Sequence, residues 1–528
     1  MPRHTRPTYT ALLPVFLLAF LLLSGCRKET QPAQATPDLP EAGSGVYVSI
    51  TVTADGVSGP STRSGGAPAT RVPTLGEDGD GEQPGTGDEN MVHDINVFFL
   101  TGNIPDGGSI LDDNDARIVA SEYFSGDDIR PSASGEITLY TVQREIEGLS
   151  VGGQYHALAI VNAGVDLGTR DTDPVETVTD LQDLTFSEVI NTVTEGSEIH
   201  RKFLMASADD SGLIEIEPNN SPYNPTVVRI GVERMAARVD CRWENEYRIG
   251  RDNGPSQQED RVKVLGAAIV NRYAGDTYTF KRVTSGPGID GEILYLGKEI
   301  VDINGVAGNY VIDPWTLSDN GKRNSLYNYY YPEYVNWNDN DFVRDESLTA
   351  KSYDVSGNEY DCWGYVKENI NIINPVDGKD VEHCATGIMF KAQYTPVGFT
   401  EGETFYVYYV DEESEDRTIY SEDELRDKFP LIFGDDTATW GDIEGCEVYE
   451  NGWCYYIYWI RHADDKGPGN IGPMEYAIVR NNIYQLYINS ISSLGTDEPD
   501  SNVDEFEGEI HLEVQDWDRV GVEVPAFD

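Results

Sequence analysis

The chain has 528 residues, room for two or three domains each with its own core. Its formal net charge of −54, from 92 acidic against 38 basic side chains, argues against nucleic acid or anionic lipid as a partner, because phosphate binding needs clustered Lys and Arg and no such cluster occurs. Hydrophobic residues at 39%, with 31 Tyr, 52 Gly and 27 Pro, suit a β protein with many turns and argue against disorder of the whole chain.

The chain opens with a basic start (Arg3, His4, Arg6), an apolar run from Ala11 to Leu23, and Ser24-Gly25-Cys26. That order reads as a lipoprotein signal over residues 1–25, with Cys26 as the lipidated N-terminus of the exported protein. The run is short for a bilayer span and contains Pro14. Residues 26–44 are polar and Pro-rich, as a flexible tether would be.

Val46, Val48, Ile50 and Val52 then alternate with Tyr47, Ser49, Thr51 and Thr53, which predicts a strand over 46–53 with one apolar face. A Gly-, Pro- and acid-rich loop over 54–90 follows, and its Arg63 and Arg71 beside small residues form open protease targets. Strand patterns resume at Ile95–Leu100 and recur at Glu136–Val142, Tyr155–Val161 and Gly212–Ile216, with a short helix expected around Asp180–Val189. The spacing suits a β-sandwich over residues 45–222, with a boundary at the Asn219–Pro222 turn.

A second β domain is expected over 223–508, with a long insertion at about 285–361. Its strand patterns are Gly364–Val366, Thr386–Tyr394, Thr404–Val410, Cys454–Ile460 and Asn482–Ile491. A helix over Glu422–Phe429 is predicted from the capping-box spacing of Ser421 and Glu424 and the stop at Pro430. Residues 509–528 form a tail in which Ile510, Leu512 and Val514, then Val520, Val522 and Val524, alternate with other residues. Such a tail either closes its own sheet or adds to another molecule's.

Five cysteines remain after Cys26: Cys241, Cys362, Cys384, Cys446 and Cys454. An odd remainder argues against a tidy disulfide framework. Reading Asn451-Gly452 as a two-residue hairpin turn puts Cys454 opposite Tyr449 and Cys446 on the other face, so no bridge is expected there. Catalytic motifs and cofactor-binding glycine patterns are absent, and His462 between Arg461 and Ala463 reads as structural. The acidic runs at 78–82, 112–115 and 338–341 lack the spacing of a calcium loop and read as solvated loops. No metal, cofactor or catalysis is therefore assigned. The Tyr-rich run Tyr327–Trp337 fits a sugar-stacking platform and a half-buried β face equally well.

Several segments carry a family resemblance: Leu23–Cys26, the 46–53 strand with Arg71 beyond it, Ile95–Leu100, Ala159–Ala163, Val232–Val239 and Tyr365–Asn369. The most specific are Cys454–His462 and Met474–Tyr484. With these the chain resembles the fimbrillins of Bacteroidales, lipoprotein-derived (type V) pilus subunits, and particularly the shaft subunit of the short or minor fimbria. The resemblance implies an all-β fold of two tandem transthyretin-like or Ig-like sandwiches, with few short helices. It implies an outer-membrane lipoprotein precursor that an arginine-specific protease cuts after Arg71, with Arg63 as the competitor. The cut removes the 46–53 strand, and a neighbour's C-terminal strand fills the groove.

The partners so implied are other copies of the chain, accessory fimbrial subunits, the protease, and the outer membrane through the precursor lipid. Host or bacterial adhesion ligands follow from a role in extracellular fimbriae; nucleic acid does not. A monomeric surface lipoprotein that binds glycan or host protein is the alternative, as is an accessory tip or anchor subunit.

Overall fold

The computed structural model describes residues 46–53, 82–83 and 85–517, apart from 105–108, 133–138, 170–173, 196–197, 209, 251–258, 285–292, 296–309, 312, 315–338, 355, 370–384, 410–417, 435–438, 463–475 and 500–507. Among the described residues the fold is all-β, with only short helices. In the first sheet the strands run in the order Arg117–Ser125, Asp94–Thr101, Gln154–Val161, Met205–Ser207, Thr226–Arg234, Val46–Thr53, Leu139–Ile146 and Arg130–Ser132. Their inward side chains form one core with the helix Val178–Gln182.

Two further sheets pack face to face around a second core, as in a β-sandwich. One contains Gly508–Trp517, Asn482–Ile491, Ala236–Arg242, Glu359–Lys367 and Lys351–Tyr353, in that order. The other contains Tyr247–Gly250, Glu259–Val270, Gly387–Thr395 and Trp453–Trp459. A small sheet of Ile419–Tyr420, Phe405–Tyr408 and Cys446–Tyr449 carries the helix Glu422–Lys428, whose capping box joins Ser421 and Glu424 as expected.

Four details depart from the sequence reading. The strand Thr226–Arg234, expected on the far side of a boundary between 222 and 223, pairs with the first strand, and its Val228, Ile230 and Val232 sit in the first core. The helix expected around Asp180–Val189 covers Val178–Gln182 and gives way to a strand at Thr185–Phe186. Asn451 and Gly452 do make a left-handed turn (φ 56° and 72°), but the flanking strands enter different sheets and do not pair with each other. Cys446 and Cys454 are nonetheless free and buried, and burial pushes their thiols up to about 11 and about 12. Cys384 and Tyr327–Trp337 lie outside the described residues.

The fourth departure concerns the end of the 54–90 loop. Glu82-Gln83 pairs with Asp516-Trp517 at the edge of the second sandwich, and Glu89 and Asn90 are then held in a buried polar knot. The Glu89 carboxylate accepts two 3.0 Å bonds from Arg238, a 2.7 Å bond from the Tyr365 hydroxyl and a 2.7 Å bond from the Thr86 amide. Arg238 also grips Asp240 at 2.8–3.1 Å, while Arg234 donates to the Glu89 carbonyl and to Asn90. Gly85 is packed tightly here, since a Cβ would run into the Asn90 and Arg234 side chains. The chain thus crosses to the second sandwich before returning to the first at Asp94.

Burial alone would raise the Glu89 carboxyl, but Arg238, the Thr86 amide, Arg234 and Tyr365 together outweigh it and hold it below its ordinary 4.5. Removing one partner of such a buried pair strands the other's charge. Arg238→Ala should therefore cost about 3–5 kcal/mol in urea unfolding. A carboxyl lowered in the folded state stabilises above its unfolded value and loses that contribution as pH falls through the folded one. The stability gap between wild type and Glu89→Gln should accordingly close as pH drops below 4.5.

Candidate assembly groove

The first strand forms because β-branched residues occupy most of 46–53, and its alternation leaves one face wholly apolar. Val46, Val48, Ile50 and Val52 are each no more than 1% exposed. The strand runs parallel to Thr226–Arg234 on one side, with Val48 opposite Thr226 and Val52 opposite Ile230. On the other side it runs antiparallel to Leu139–Ile146, with Val46 opposite Ile146 and Thr53 opposite Leu139. At its start, Asn220 accepts from the Tyr47 amide and donates to the Tyr47 carbonyl, both at 2.8 Å.

Three properties follow from this placement. The strand is internal, so removing it would leave two unpaired strand edges facing each other. Its four apolar side chains correspond to roughly 6–12 kcal/mol of burial at ~1.5–3 kcal/mol each. Its neighbours come from residues far along the chain, and neither residues 1–45 nor 54–81, which flank it, are among the described residues. Cys26, Arg63 and Arg71 therefore lie outside the described residues.

The tail takes the first of its two alternatives as far as Trp517. Gly508–Trp517 pairs antiparallel with Asn482–Ile491, setting Ile510 opposite Ile488, Leu512 opposite Leu486 and Val514 opposite Tyr484. Leu512 is 2% exposed within the second core, and Ile510 packs against that core. Val520, Val522 and Val524 lie outside the described residues. The six alternating residues are thus divided between a strand paired at home and a segment beyond it.

Sequence reasoning missed two contributors to this arrangement. The Asn220 clamp belongs to a turn read only as a domain boundary. The Glu89 knot is foreshadowed by Arg234 and Arg238 in Val232–Val239, since two arginines in a stretch that is otherwise buried need acidic partners. His462, read from the sequence as structural, is buried, with its Nδ1 3.1 Å from the Tyr484 hydroxyl. Asp112 and Asp113 spend their carboxylates on backbone amides, in a capping box at Ser109 and on Asn103 and Asp115.

Residues 447–519, which include the Trp453–Trp459, Asn482–Ile491 and Gly508–Trp517 strands, match the family model described as major fimbrial subunit protein type IV, fimbrillin, C-terminal. A search of curated proteins finds no match. Among solved structures, the chain is similar to a fimbrilin of Porphyromonas gingivalis W83 at 13% identity and a TM-score of 0.34, covering 90% of this chain and 98% of that one. It is similar to the tip fimbrial protein Mfa3 of Porphyromonas gingivalis, solved with a C-terminal truncation, at 10% identity and a TM-score of 0.31, covering 89% and 99%. A fimbrial assembly protein of Parabacteroides distasonis gives 9% identity, a TM-score of 0.31, and coverage of 89% and 99%. Residues 447–519 carry the fimbrillin C-terminal signature, and it is to the fimbrillins that this chain is similar.

Proposed function

We propose that the protein is a structural subunit of a cell-surface fimbria that contributes to adhesion and polymerises by donor-strand exchange. In this reading the precursor is held at the outer membrane by lipid on Cys26. A cut after Arg71, or after Arg63, releases the tether together with the 46–53 strand, and a neighbour's tail refills the groove. The observation that carries the reading is the first strand: it supplies four core side chains to an internal slot, yet is a separate piece once the loop behind it is cut.

Chain geometry bears on which part of the tail donates. Trp517 ends beside Asn482, next to the junction of the two sandwiches, where the Arg234 amide donates 3.2 Å to the Asn481 side-chain oxygen. Residues 518–528, at ~3.3 Å each, reach ~36 Å, of which the eight-residue slot takes ~26 Å. A donor limited to that segment would have to bring its own waist onto the neighbour's groove. Unpairing the terminal strand back to Gly508 instead releases the arm at the Ile491 end, away from the junction. This makes all six residues, Ile510 to Val524, available as donors. The cost is the burial of Leu512, the ladder to Asn482–Ile491 and the short pairing with Glu82-Gln83, which filling four pockets elsewhere can offset.

Purified mature material is expected to begin at Val72, or at Ser64 for the competing cut; N-terminal sequencing that finds lipidated Cys26 would instead favour the monomeric lipoprotein or an anchor subunit. Deleting 518–528 should leave the melting temperature unchanged while reducing fibre yield after proteolysis. Deleting 509–528 should also destabilise the second sandwich by more than about 2 kcal/mol, because Leu512 leaves its core. Cysteines at the paired positions Tyr487 and His511, oxidised to a disulfide, should block fibre formation until a reductant is added.

A further inference from the structure

Ten large apolar side chains stand exposed among the described residues, and four of them collect at one end of the first sheet: Val151 (53%), Leu213 (62%), Tyr223 (99%) and Val227 (51%). Their neighbourhood is fixed by backbone pairing. The Gly152 amide donates 2.7 Å to the Ile216 carbonyl, and Ile214 pairs with Tyr155. Gln143 donates 2.7 Å to the Pro222 carbonyl, and Thr226 lies opposite Val48.

This is the end at which the first strand begins, where Val46 faces Ile146 and Asn220 clamps Tyr47. It is also the end away from the chain's own second sandwich, because Thr226–Arg234 runs from here toward Met235 and the Glu89 knot. The rim therefore carries four exposed apolar side chains among polar ones such as Glu215, Glu217 and Asn219, sits at the mouth of the groove, and is not covered by the junction.

A replacement strand that runs in the direction of the first one meets the same ladders, parallel to Thr226–Arg234 and antiparallel to Leu139–Ile146. Run in reverse, it would have to change both ladders and enter past the junction. In the favoured direction its N-terminal side emerges at the rim. A donor strand taken from a C-terminal tail leaves the donor's body on that N-terminal side, directly over Val151, Leu213, Tyr223 and Val227. The two surfaces differ, so the contact does not close on itself and repeats along an open filament.

We infer that this apolar rim is the landing surface for the body of a second copy of the chain, at the Ile491–Gly508 end of its second sandwich. The inference rests on the strand-exchange reading and adds a second contact to it. Strand insertion would supply affinity, while the rim would fix the angle between successive subunits and help a strongly acidic chain overcome its own repulsion.

The test uses the full-length protein, cleaved in the 54–90 loop, with the double substitution Leu213→Asp and Tyr223→Asp. Both residues are exposed, so the melting temperature should match wild type. Fibre growth followed by light scattering should slow by about tenfold, the loss that ~1.4 kcal/mol of contact would give. A fluorescent peptide of residues 509–528 should bind the cleaved variant as it binds cleaved wild type, because the groove itself is unchanged. Val165→Asp, at an exposed valine beside Asn96 at the other end of the first sheet, should leave growth unaltered. Growth of the rim variant at the wild-type rate would overturn the landing surface alone. Failure of cleaved wild type to grow or to bind the peptide would overturn strand exchange, and the landing surface with it.

Discussion

An internal strand cannot be removed from a sheet without leaving a site shaped for another strand. Val46, Val48, Ile50 and Val52 fill one row of the first core, and the backbone of 46–53 satisfies both Thr226–Arg234 and Leu139–Ile146. Loss of that strand would expose apolar pockets and two rows of unpaired peptide groups together, a penalty that side-chain rearrangement cannot relieve. Only an extended segment with the same alternation meets both demands. The proposed assembly chemistry is in this sense contained in one stretch of eight residues.

In the proposed maturation this one piece separates while the rest of the molecule stays fastened. Beyond the undescribed residues 54–81 the chain is fastened twice, by Glu82-Gln83 on the terminal strand and by Glu89 in the Arg238 knot. The knot ties the returning chain to both sandwiches: Arg234 ends a strand of the first, while Arg238, Asp240 and Tyr365 belong to the second. A cut upstream of these fastenings leaves them in place. The contact between Glu82-Gln83 and the terminal strand also places the returning chain beside the tail. The two ends proposed to change in assembly are therefore neighbours in the folded chain.

Local patterns were legible in the sequence at several strands with one buried face, though the alternating strand Glu259–Val270 was not singled out. The alternation at 46–53, the capping box at Ser421 and the strands at 154–161 and 482–491 all read directly. What failed was partner choice. Val227–Val239 alternates almost continuously, so nothing in its pattern marks Met235 as the point where the chain passes from one sheet to the next. The Asn451-Gly452 turn has hairpin chemistry, yet its strands pair with Phe405–Tyr408 and Gly387–Thr395 across long separations. Glu89 sits in a Gly- and acid-rich stretch that looks like solvated loop, and only the distant Arg238 gives it a buried role. The groove was legible in its first strand, but the apolar rim was not, since Val151, Leu213, Tyr223 and Val227 come together only through tertiary pairing.

The central claim concerns which strand occupies one slot in the assembled fibre. A density map of fibres grown from cleaved protein, resolved well enough to read side chains, tests it most directly. The account predicts that the slot between Leu139–Ile146 and Thr226–Arg234 holds residues from the 509–528 tail of an adjacent copy, running parallel to Thr226–Arg234, with 46–53 absent. A fibre in which each subunit keeps its own Val46–Thr53 strand in that slot would contradict it.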